Sequence, residues 1–369
     1  MAELFKNIYN KQFFEDLTST IQKVEQGFDK GSFLTQIYDD EWESRELKQR
    51  MRHITTTLKK HLPKNYNQNV KLILKIIQQL QNDGFKENSI EYMFFPDFIE
   101  VYGLDNYNSS IKAFEQVTQF TSCEFAVRPF IVKYNEKMIA QMHLWSKHTH
   151  SMVRRLSTEG CRPKLPWAMA IPSLKNNPSP IIQILENLKN DESESVRRSV
   201  ANNLNDISKD NPTEVINLAK KWKGKTQGVD WLIKHACRAL LKQGNSEVME
   251  LFGFGSVDKI KIDNFKILTP KVKVGHFLEF TFRLQNTSDF SAKIRLEYGL
   301  YYQKAKGSLS RKVFKISEKE YVPNSTTIIS RKQPFKVITT RKLHLGAHQI
   351  SIIINGNEFD KNDFELIDE

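Results

Sequence analysis

The spacing of apolar residues changes near residues 253–256 and divides the chain into two parts. Before this point apolar residues recur every three or four positions, as over residues 47–58, which is the period of an α-helix. After it, short runs rich in β-branched and aromatic residues alternate with turn-forming residues, the pattern of β-strands. No single element type satisfies both patterns, so the sequence predicts an all-α domain over 1–254 and an all-β domain over 257–369.

The helical part repeats weakly, at intervals typical of HEAT repeats. The triplets at 153–155, 196–198 and 233–235 each fit the second helix of a helical hairpin, and they begin 43 and 37 residues apart. Prolines behind a capping residue mark helix starts near 178–180 and 211–212. The sequence therefore predicts a HEAT-like α-solenoid, whose concave face suits a DNA duplex and equally a protein surface.

The second part is expected to be a small all-β sandwich of the immunoglobulin type. About seven strands fit into its length. The clearest are 277–284, 294–302, 311–316, 325–330 and 349–354. This part contains no cysteine, so no disulfide is expected to join its sheets.

Basic residues outnumber acidic ones: 55 Lys and Arg stand against 43 Asp and Glu, a net charge of +12. Such an excess favours an anionic partner, and nucleic acid is the obvious one. The β part is the more basic per residue, with 20 basic and 13 acidic side chains after residue 255. A cluster around a Gly-Ser turn is expected to contact phosphate groups, although a solvated surface explains it equally well. It consists of Lys304, Lys306, Arg311, Lys312 and Lys315.

Several kinds of segment and site are not expected. No run of about 18 apolar residues is present and the first residues lack a signal-peptide pattern, so we expect a cytoplasmic protein that does not cross a membrane. Cys123, Cys161 and Cys237 are odd in number and far apart, which favours buried structural thiols over disulfides. The histidines within 143–150 lack a nearby cysteine or acidic partner that would complete a zinc site, so no metal is expected.

The helix expected over 193–208 has two informative faces. Its core stripe consists of Val196, Val200, Leu204 and Ile207. Its neighbouring flank, expected to be exposed, consists of Arg198, Ser199, Asn202 and Asp206. A basic residue, an amide and a carboxylate on one flank could touch phosphates and act at a sugar, whereas hydrogen bonds between repeats are the plainer interpretation.

The helix expected over 150–162 offers a second carboxylate. Aligning the two repeats places Glu159 at the position of Asn202, on the flank that carries Asp206. Two carboxylates from adjacent repeats are therefore expected to point into one groove. The stiff basic loop that follows presents Trp167, which suits either core packing or stacking on a base or sugar.

Three strings occur in an informative order. They are SCEFAVRPFIVKY at 122–134, MVRRLSTEGCRPKLPWA at 152–168 and VRRSVANNLNDISKDNP at 196–212. Together they resemble the AlkC branch of the AlkC/AlkD superfamily of DNA alkylation-repair glycosylases, over residues 1–254. Some AlkC proteins carry a C-terminal immunoglobulin-like domain, to which the β-rich part over 257–369 is similar.

The resemblance implies a DNA glycosylase of base excision repair that acts on double-stranded DNA carrying alkylated bases. Its reaction would be hydrolysis of the N-glycosidic bond of a cationic N3-alkylated base, of the 3-methyladenine or 3-methylcytosine type, without any need to flip the base out. The motif residues of the family fall on Glu124, Glu159, Trp167 and Asp206. Glu124 does not register with Glu159 on the repeat template, so its place in the groove rests on the resemblance alone.

The chemistry of a cationic leaving group fits these residue types. Protonating a base that is already positive adds little, so the carboxylates are left to stabilise an oxocarbenium-like sugar and to direct water to it. Asp206 is expected to do this work, while Glu159 and Glu124 attract the lesion and support the water. Trp167 is expected to contact the sugar or base through its π face. No metal or organic cofactor is needed for this reaction.

The basic residues of the helical part are expected to hold backbone phosphates and to fix register without reading sequence. They are Arg154, Arg155, Arg162, Lys164, Arg198, Lys234 and Arg238. Arg197 lies about 100° from Arg198 on one helix, so the two cannot both face the groove squarely. Two alternatives stay open, a catalytically silent DNA-binding relative and a HEAT-repeat scaffold for a protein partner. The protein is expected to be a monomer.

Overall fold

The computed structural model describes residues 4–87, 89–337 and 342–368, and in it the helices come first and the strands last. The helices are α1 (Lys11–Val24), α2 (Lys30–Ile37), α3 (Leu47–Lys60), α4 (Tyr66–Asn82), α5 (Phe94–Gly103), α6 (Tyr107–Val117), α7 (Val127–Trp145), α8 (Ser151–Glu159), α9 (Pro172–Asn176), α10 (Ser179–Leu188), α11 (Glu194–Ile207), α12 (Pro212–Trp222), α13 (Gln227–Ala236), α14 (Arg238–Gln243) and α15 (Ser246–Leu251). The strands are β1 (Ile260–Ile267), β2 (Lys271–Lys273), β3 (Phe277–Asn286), β4 (Ala292–Gln303), β5 (Leu309–Tyr321), β6 (Ser325–Pro334), β7 (Gly346–Ile354) and β8 (Asn357–Ile367). The predicted order, an α part followed by a β part, is confirmed.

Local sequence signals set where several helices begin. The side chains of Asn10 and Asn65 accept hydrogen bonds from first-turn backbone N–H groups of α1 and α4. The imidazole of His150 does the same for α8. Helices α10 and α12 begin at Ser179 and Pro212, where the prolines predicted helix starts.

Helix α11 packs against both α8 and α13, and its core stripe is confirmed. The buried residues of this stripe are Val196, Val200, Leu204 and Ile207. The prediction that the neighbouring flank is exposed was wrong for two residues. Ser199 and Asp206 are buried because side chains of α8 and of the loop after it hydrogen-bond to them, whereas Arg198 stays exposed.

The strands form two sheets around a shared apolar core. One sheet has the order β1-β3-β6 and the other the order β2-β8-β7-β4-β5. The pairs are antiparallel except for β2 with β8, which is parallel. The largest core residues include Phe280, Phe282, Tyr298 and Phe364. All five strands that the sequence located are present as β3 to β7, and the all-β prediction is confirmed.

The chain divides into two compact units earlier than the predicted boundary between 254 and 257. One unit comprises Met1–Val215 and Lys221–Ala236, and the other Ile216–Lys220 and Cys237–Glu369. Helices α14 and α15 therefore group with the strands. One cause is a close backbone approach within the second unit, since a Cβ on Gly244 would lie 2.8 Å from the carbonyl oxygen of Gly356. Both residues have positive φ, which glycine adopts without strain.

The three cysteines are free and buried, as structural thiols are expected to be. Burial raises the pKa of Cys161 and of Cys237 to about 12, so both thiols stay protonated at neutral pH. Among the described residues, no three His, Cys, Asp or Glu side chains come together as a metal site would require. None of the helices in that same part of the chain combines the length and apolarity that crossing a membrane demands.

We expect Leu204→Ala to lower the free energy of unfolding of the helical unit by about 2–5 kcal/mol, because it leaves a cavity in a fully packed stripe. Urea denaturation followed by circular dichroism measures the loss. Lys71→Ala on the exposed face of α4 is the control and should change stability by no more than about 0.5 kcal/mol. A loss below about 1 kcal/mol for Leu204→Ala would contradict the packing of α11.

Candidate active site

One buried guanidinium bridges two of the predicted catalytic carboxylates. Nη1 of Arg162 donates to Oε1 of Glu159 at 2.5 Å. Nε of Arg162 donates to Oδ2 of Asp206 at 2.8 Å, and its Nη2 lies 2.7 Å from the same oxygen. Glu159 is 5% exposed and Asp206 is 2% exposed, so two like charges lie close together away from bulk water. The guanidinium between them offsets their repulsion.

The second oxygen of each carboxylate is also hydrogen-bonded. Oγ of Ser199 donates to Oε2 of Glu159 at 2.5 Å, and Nζ of Lys209 donates to Oδ1 of Asp206 at 2.8 Å. Burial acts to lower the pKa of Arg162, but the charges of Glu159 and Asp206 outweigh it and raise that pKa above its usual value. Arg162 therefore stays charged and is the counter-charge that the two acids share.

The packing of α8 on α11 brings these groups together. Glu159 is the last residue of α8, Arg162 follows one turn later, and Asp206 lies in the last turn of α11. Nδ2 of Asn203 donates to the backbone carbonyl of Thr158 at 2.8 Å and ties the two helices. Aligning the repeats from sequence thus placed Glu159 beside Asp206 correctly, but it gave no sign of their shared partner, Arg162.

Glu124 lines a cleft next to the one that Glu159 lines, and Arg155 lines both clefts. Nη1 of Arg155 donates to Oε2 of Glu124 at 2.9 Å, and Oγ of Ser122 donates to the same oxygen at 2.7 Å. A cleft of about 400 Å³ contains Glu124, and one of about 380 Å³ contains Glu159. Arg155 and Ser195 line both clefts, so Glu124 and Glu159 border adjoining clefts, whereas Asp206 is buried and lines neither of them.

The loop between α8 and α9 carries Trp167 in an unusual conformation. Its φ is +64°, in the left-handed region that bulky residues rarely adopt, and such strain costs about 1–3 kcal/mol. Trp167 is 63% exposed, so its interpretation as a core residue was wrong. Nζ of Lys48 donates to its carbonyl oxygen at 2.8 Å, and the ring of Phe5 meets the indole edge-on.

Arg128 anchors this loop, and the sequence reasoning missed it. Its Nη1 donates to the carbonyl oxygens of Gly160 and Arg162 at 3.0 and 2.8 Å, and its Nε donates to that of Met169 at 2.7 Å. Burial lowers the pKa of Arg128 to about 10, so the side chain is still charged at neutral pH. Its position inside the apolar run at 125–132 was the available signal, because an arginine there must find polar partners.

The basic residues predicted to hold phosphates fall into two groups. Arg154 and Arg162 are buried and fully engaged: Arg154 donates to Asp191 at 2.6 and 3.0 Å and also to two backbone carbonyls. We therefore remove both from the predicted phosphate contacts. The remaining residues are exposed or half-buried and are Arg155, Lys164, Arg198, Lys234, Arg238, Lys304, Lys306, Arg311 and Lys312.

Comparison with known proteins gives two matching families. Residues 47–240 match the family described as DNA alkylation repair enzyme, and residues 261–368 match the C-terminal Ig-like domain of the uncharacterised protein YhaZ. The uncharacterized protein YhaZ of Bacillus subtilis (strain 168) is 42% identical over 366 residues, which cover 99% of this chain and 100% of that protein.

A solved structure matches over nearly the whole chain. It is the alkylpurine DNA glycosylase AlkC of Pseudomonas fluorescens, bound to DNA containing an abasic site analog. The two chains are 31% identical, with a TM-score of 0.93, and the match covers 99% of this chain and 100% of that one.

We expect Arg162→Met to destabilise the helical unit by about 3–5 kcal/mol, because it leaves two buried carboxylates without their shared counter-charge. Arg198→Met is a matched control, since Arg198 forms an exposed i,i+4 pair with Glu194 and should cost at most about 0.5 kcal/mol. Urea denaturation at neutral pH compares the two variants. Equal losses would contradict the central role given to Arg162.

Proposed function

This chain belongs to the DNA alkylation repair enzyme family, in its AlkC branch, and we propose that it is a monofunctional DNA glycosylase acting on double-stranded DNA. Its substrates would be cationic N3-alkylated bases of the 3-methyladenine and 3-methylcytosine type. The observation that carries this proposal is the pair of carboxylates, Glu159 and Asp206, held by Arg162 beside a groove that Glu124 also borders.

The positive charge of the proposed substrate makes a general acid unnecessary. Alkylation at a ring nitrogen makes the base a positively charged leaving group, so no general acid has to protonate it. The barrier is then set by the positive charge that develops on the sugar as the glycosidic bond lengthens. Ionised carboxylates stabilise that charge and orient the attacking water, and the reaction needs no metal or organic cofactor.

The two inner acids differ in how they would reach the substrate. Glu159 lines a cleft directly, whereas Asp206 is covered by Lys209 on one side and Arg162 on the other. Lys209 is half-exposed on a flexible stem, and its movement toward a phosphate would open Oδ1 of Asp206. Asp206 then stabilises the sugar cation and positions or deprotonates water, as its place in the family motif suggests.

The approach and orientation of the substrate would depend on side chains other than Asp206. Glu159 and Glu124 attract the cationic lesion, and Trp167 contacts the sugar or the charged base through its π face. Phosphate contacts come from the exposed and half-buried basic residues given above, with the helical part as a HEAT-like solenoid and the β part as a second DNA-contacting body. Such an enzyme works as a monomer where the chromosome lies, in the cytoplasm of a bacterial-type cell.

Release of methylated bases from duplex DNA tests the proposal directly. The wild-type protein should free N3-methylated bases, and Asp206→Asn should lower the single-turnover rate by roughly 10²–10³-fold, because the amide carries no charge to stabilise the sugar cation. Asp105→Asn, which removes an exposed carboxylate paired with Lys133, is the control and should keep the wild-type rate. Wild-type protein that frees no methylated base would refute the proposal that this protein is a glycosylase. Full activity in Asp206→Asn would exclude only this role assignment.

The turn between β4 and β5 gives a separate test of DNA contact. Lys304→Gln combined with Lys306→Gln should weaken duplex binding and reduce the slope of log Kd against log salt by up to about 1.8, or about 0.9 for each phosphate that is no longer neutralised. The control changes two other exposed lysines of the same domain, Lys259 and Lys261, to Gln. An unchanged slope for the first variant would remove the turn from the DNA interface.

A further inference from the structure

The loop between α8 and α9 presents an aromatic surface larger than its tryptophan. Trp167 is 63% exposed and Phe5 is 55% exposed, with the ring centroids 6.3 Å apart and the planes at 68°. Edge-to-face pairs of this geometry are attractive. The two side chains come from segments 162 positions apart in sequence, yet together they form one projecting pair, which we call the aromatic ridge.

Lys48 fixes the base of this ridge. From the first turn of α3 its Nζ donates to the carbonyl oxygen of Trp167 at 2.8 Å, across 119 positions of sequence. The same ammonium lies 5.2 Å from the centroid of the Phe125 ring, next in sequence to Glu124. Lys48 and Phe125 also line a common cleft. One lysine thus connects the ridge to the segment that carries a candidate catalytic acid.

The conformation of Trp167 requires such support. Its left-handed φ is unfavourable for a residue with a bulky side chain, so the peptide is held there by its surroundings. Two backbone hydrogen bonds, Ala168 N–H to Leu165 and Ile171 N–H to Pro163, close the loop from within. The contact from Lys48 is made directly to the strained residue from outside the loop.

We propose that the aromatic ridge stacks on the sugar or base of the nucleotide at a damaged site, that Phe5 is a second aromatic contact beside Trp167, and that Lys48 is a positioning residue for both. The inference rests on the proposed function, because damaged DNA is the ligand. Nucleotides combine flat π faces with negative charge, and the ridge offers exposed rings beside a lysine. Strained backbone at an exposed aromatic residue is typical of a contact that must be presented in one orientation.

Binding to two duplexes tests the ridge without requiring base release. One duplex contains a tetrahydrofuran abasic-site analogue and the other is intact, and the ratio of their Kd values measures discrimination for the damaged site. Phe5→Ala should reduce this ratio by roughly tenfold, because one stacking ring is removed. Leu144→Ala, which removes another exposed apolar side chain of the same unit, is the control and should leave the ratio unchanged.

Lys48 is tested by removal of its charge and by conservative rescue. Lys48→Met should reduce the discrimination ratio by roughly two- to tenfold, since the loop must then be ordered on binding. Lys48→Arg should restore most of it, because a guanidinium can also donate to the carbonyl of Trp167. Lys71→Met on α4 is the matched control, and thermal melting checks that each variant is folded.

The outcomes separate this inference from the proposed function. A wild-type protein that releases no base but still discriminates between the duplexes, with Phe5→Ala reducing that discrimination, would support the ridge and refute the glycosylase. Discrimination that is unchanged in folded Phe5→Ala and Lys48→Met would overturn the ridge, even if base release is observed. Wild-type protein with equal Kd values for the two duplexes would overturn it as well.

Discussion

The site depends on one arrangement, a single buried guanidinium that holds two carboxylates side by side. Burying Glu159 and Asp206 alone would cost several kcal/mol for each charge, and Arg162 offsets this by hydrogen-bonding to both. The arrangement requires Glu159, the last residue of α8, to lie beside the last turn of α11. The packing of α8 on α11 places it there. The arrangement also requires the loop after α8 to turn back, and Arg128 holds it there through three carbonyl oxygens. The stability of this region and the chemistry proposed for it therefore rest on the same contacts.

The excess positive charge of the chain lies mostly outside this arrangement. A surplus of +12 explains attraction to a polyanion, but it does not distinguish a damaged base from an intact one. We propose that the acids make that distinction, since a carboxylate repels phosphate and attracts a cationic base. Each acidic side chain is paired with basic side chains of the protein. Glu124 pairs with Arg155, Glu159 pairs with Arg162, and Asp206 pairs with Arg162 and Lys209. In the proposed reaction a cationic substrate would therefore meet carboxylates that are already oriented by these partners.

Sequence periodicity predicted the framework well because it reports local geometry. The core stripe of α11, the start of α10 and five of the strands were all readable from spacing and turn residues. Side-chain contacts between residues distant in sequence could not be predicted from these local patterns. The pairing of Arg154 with Asp191, 37 positions on, turned an expected phosphate contact into a structural ion pair. The left-handed backbone of Trp167 likewise depends on Arg128 and Lys48, neither of which any local rule connects to it.

We propose that this site releases a base because the base is positively charged. Single-turnover release of 3-methyladenine can be compared with release of its uncharged 3-deaza analogue from the same position of the same duplex. We expect release of the cationic base and no detectable release of the neutral one, while both duplexes bind. Comparable rates for the two bases would contradict it, since carboxylates that only stabilise a sugar cation cannot compensate for a poor neutral leaving group.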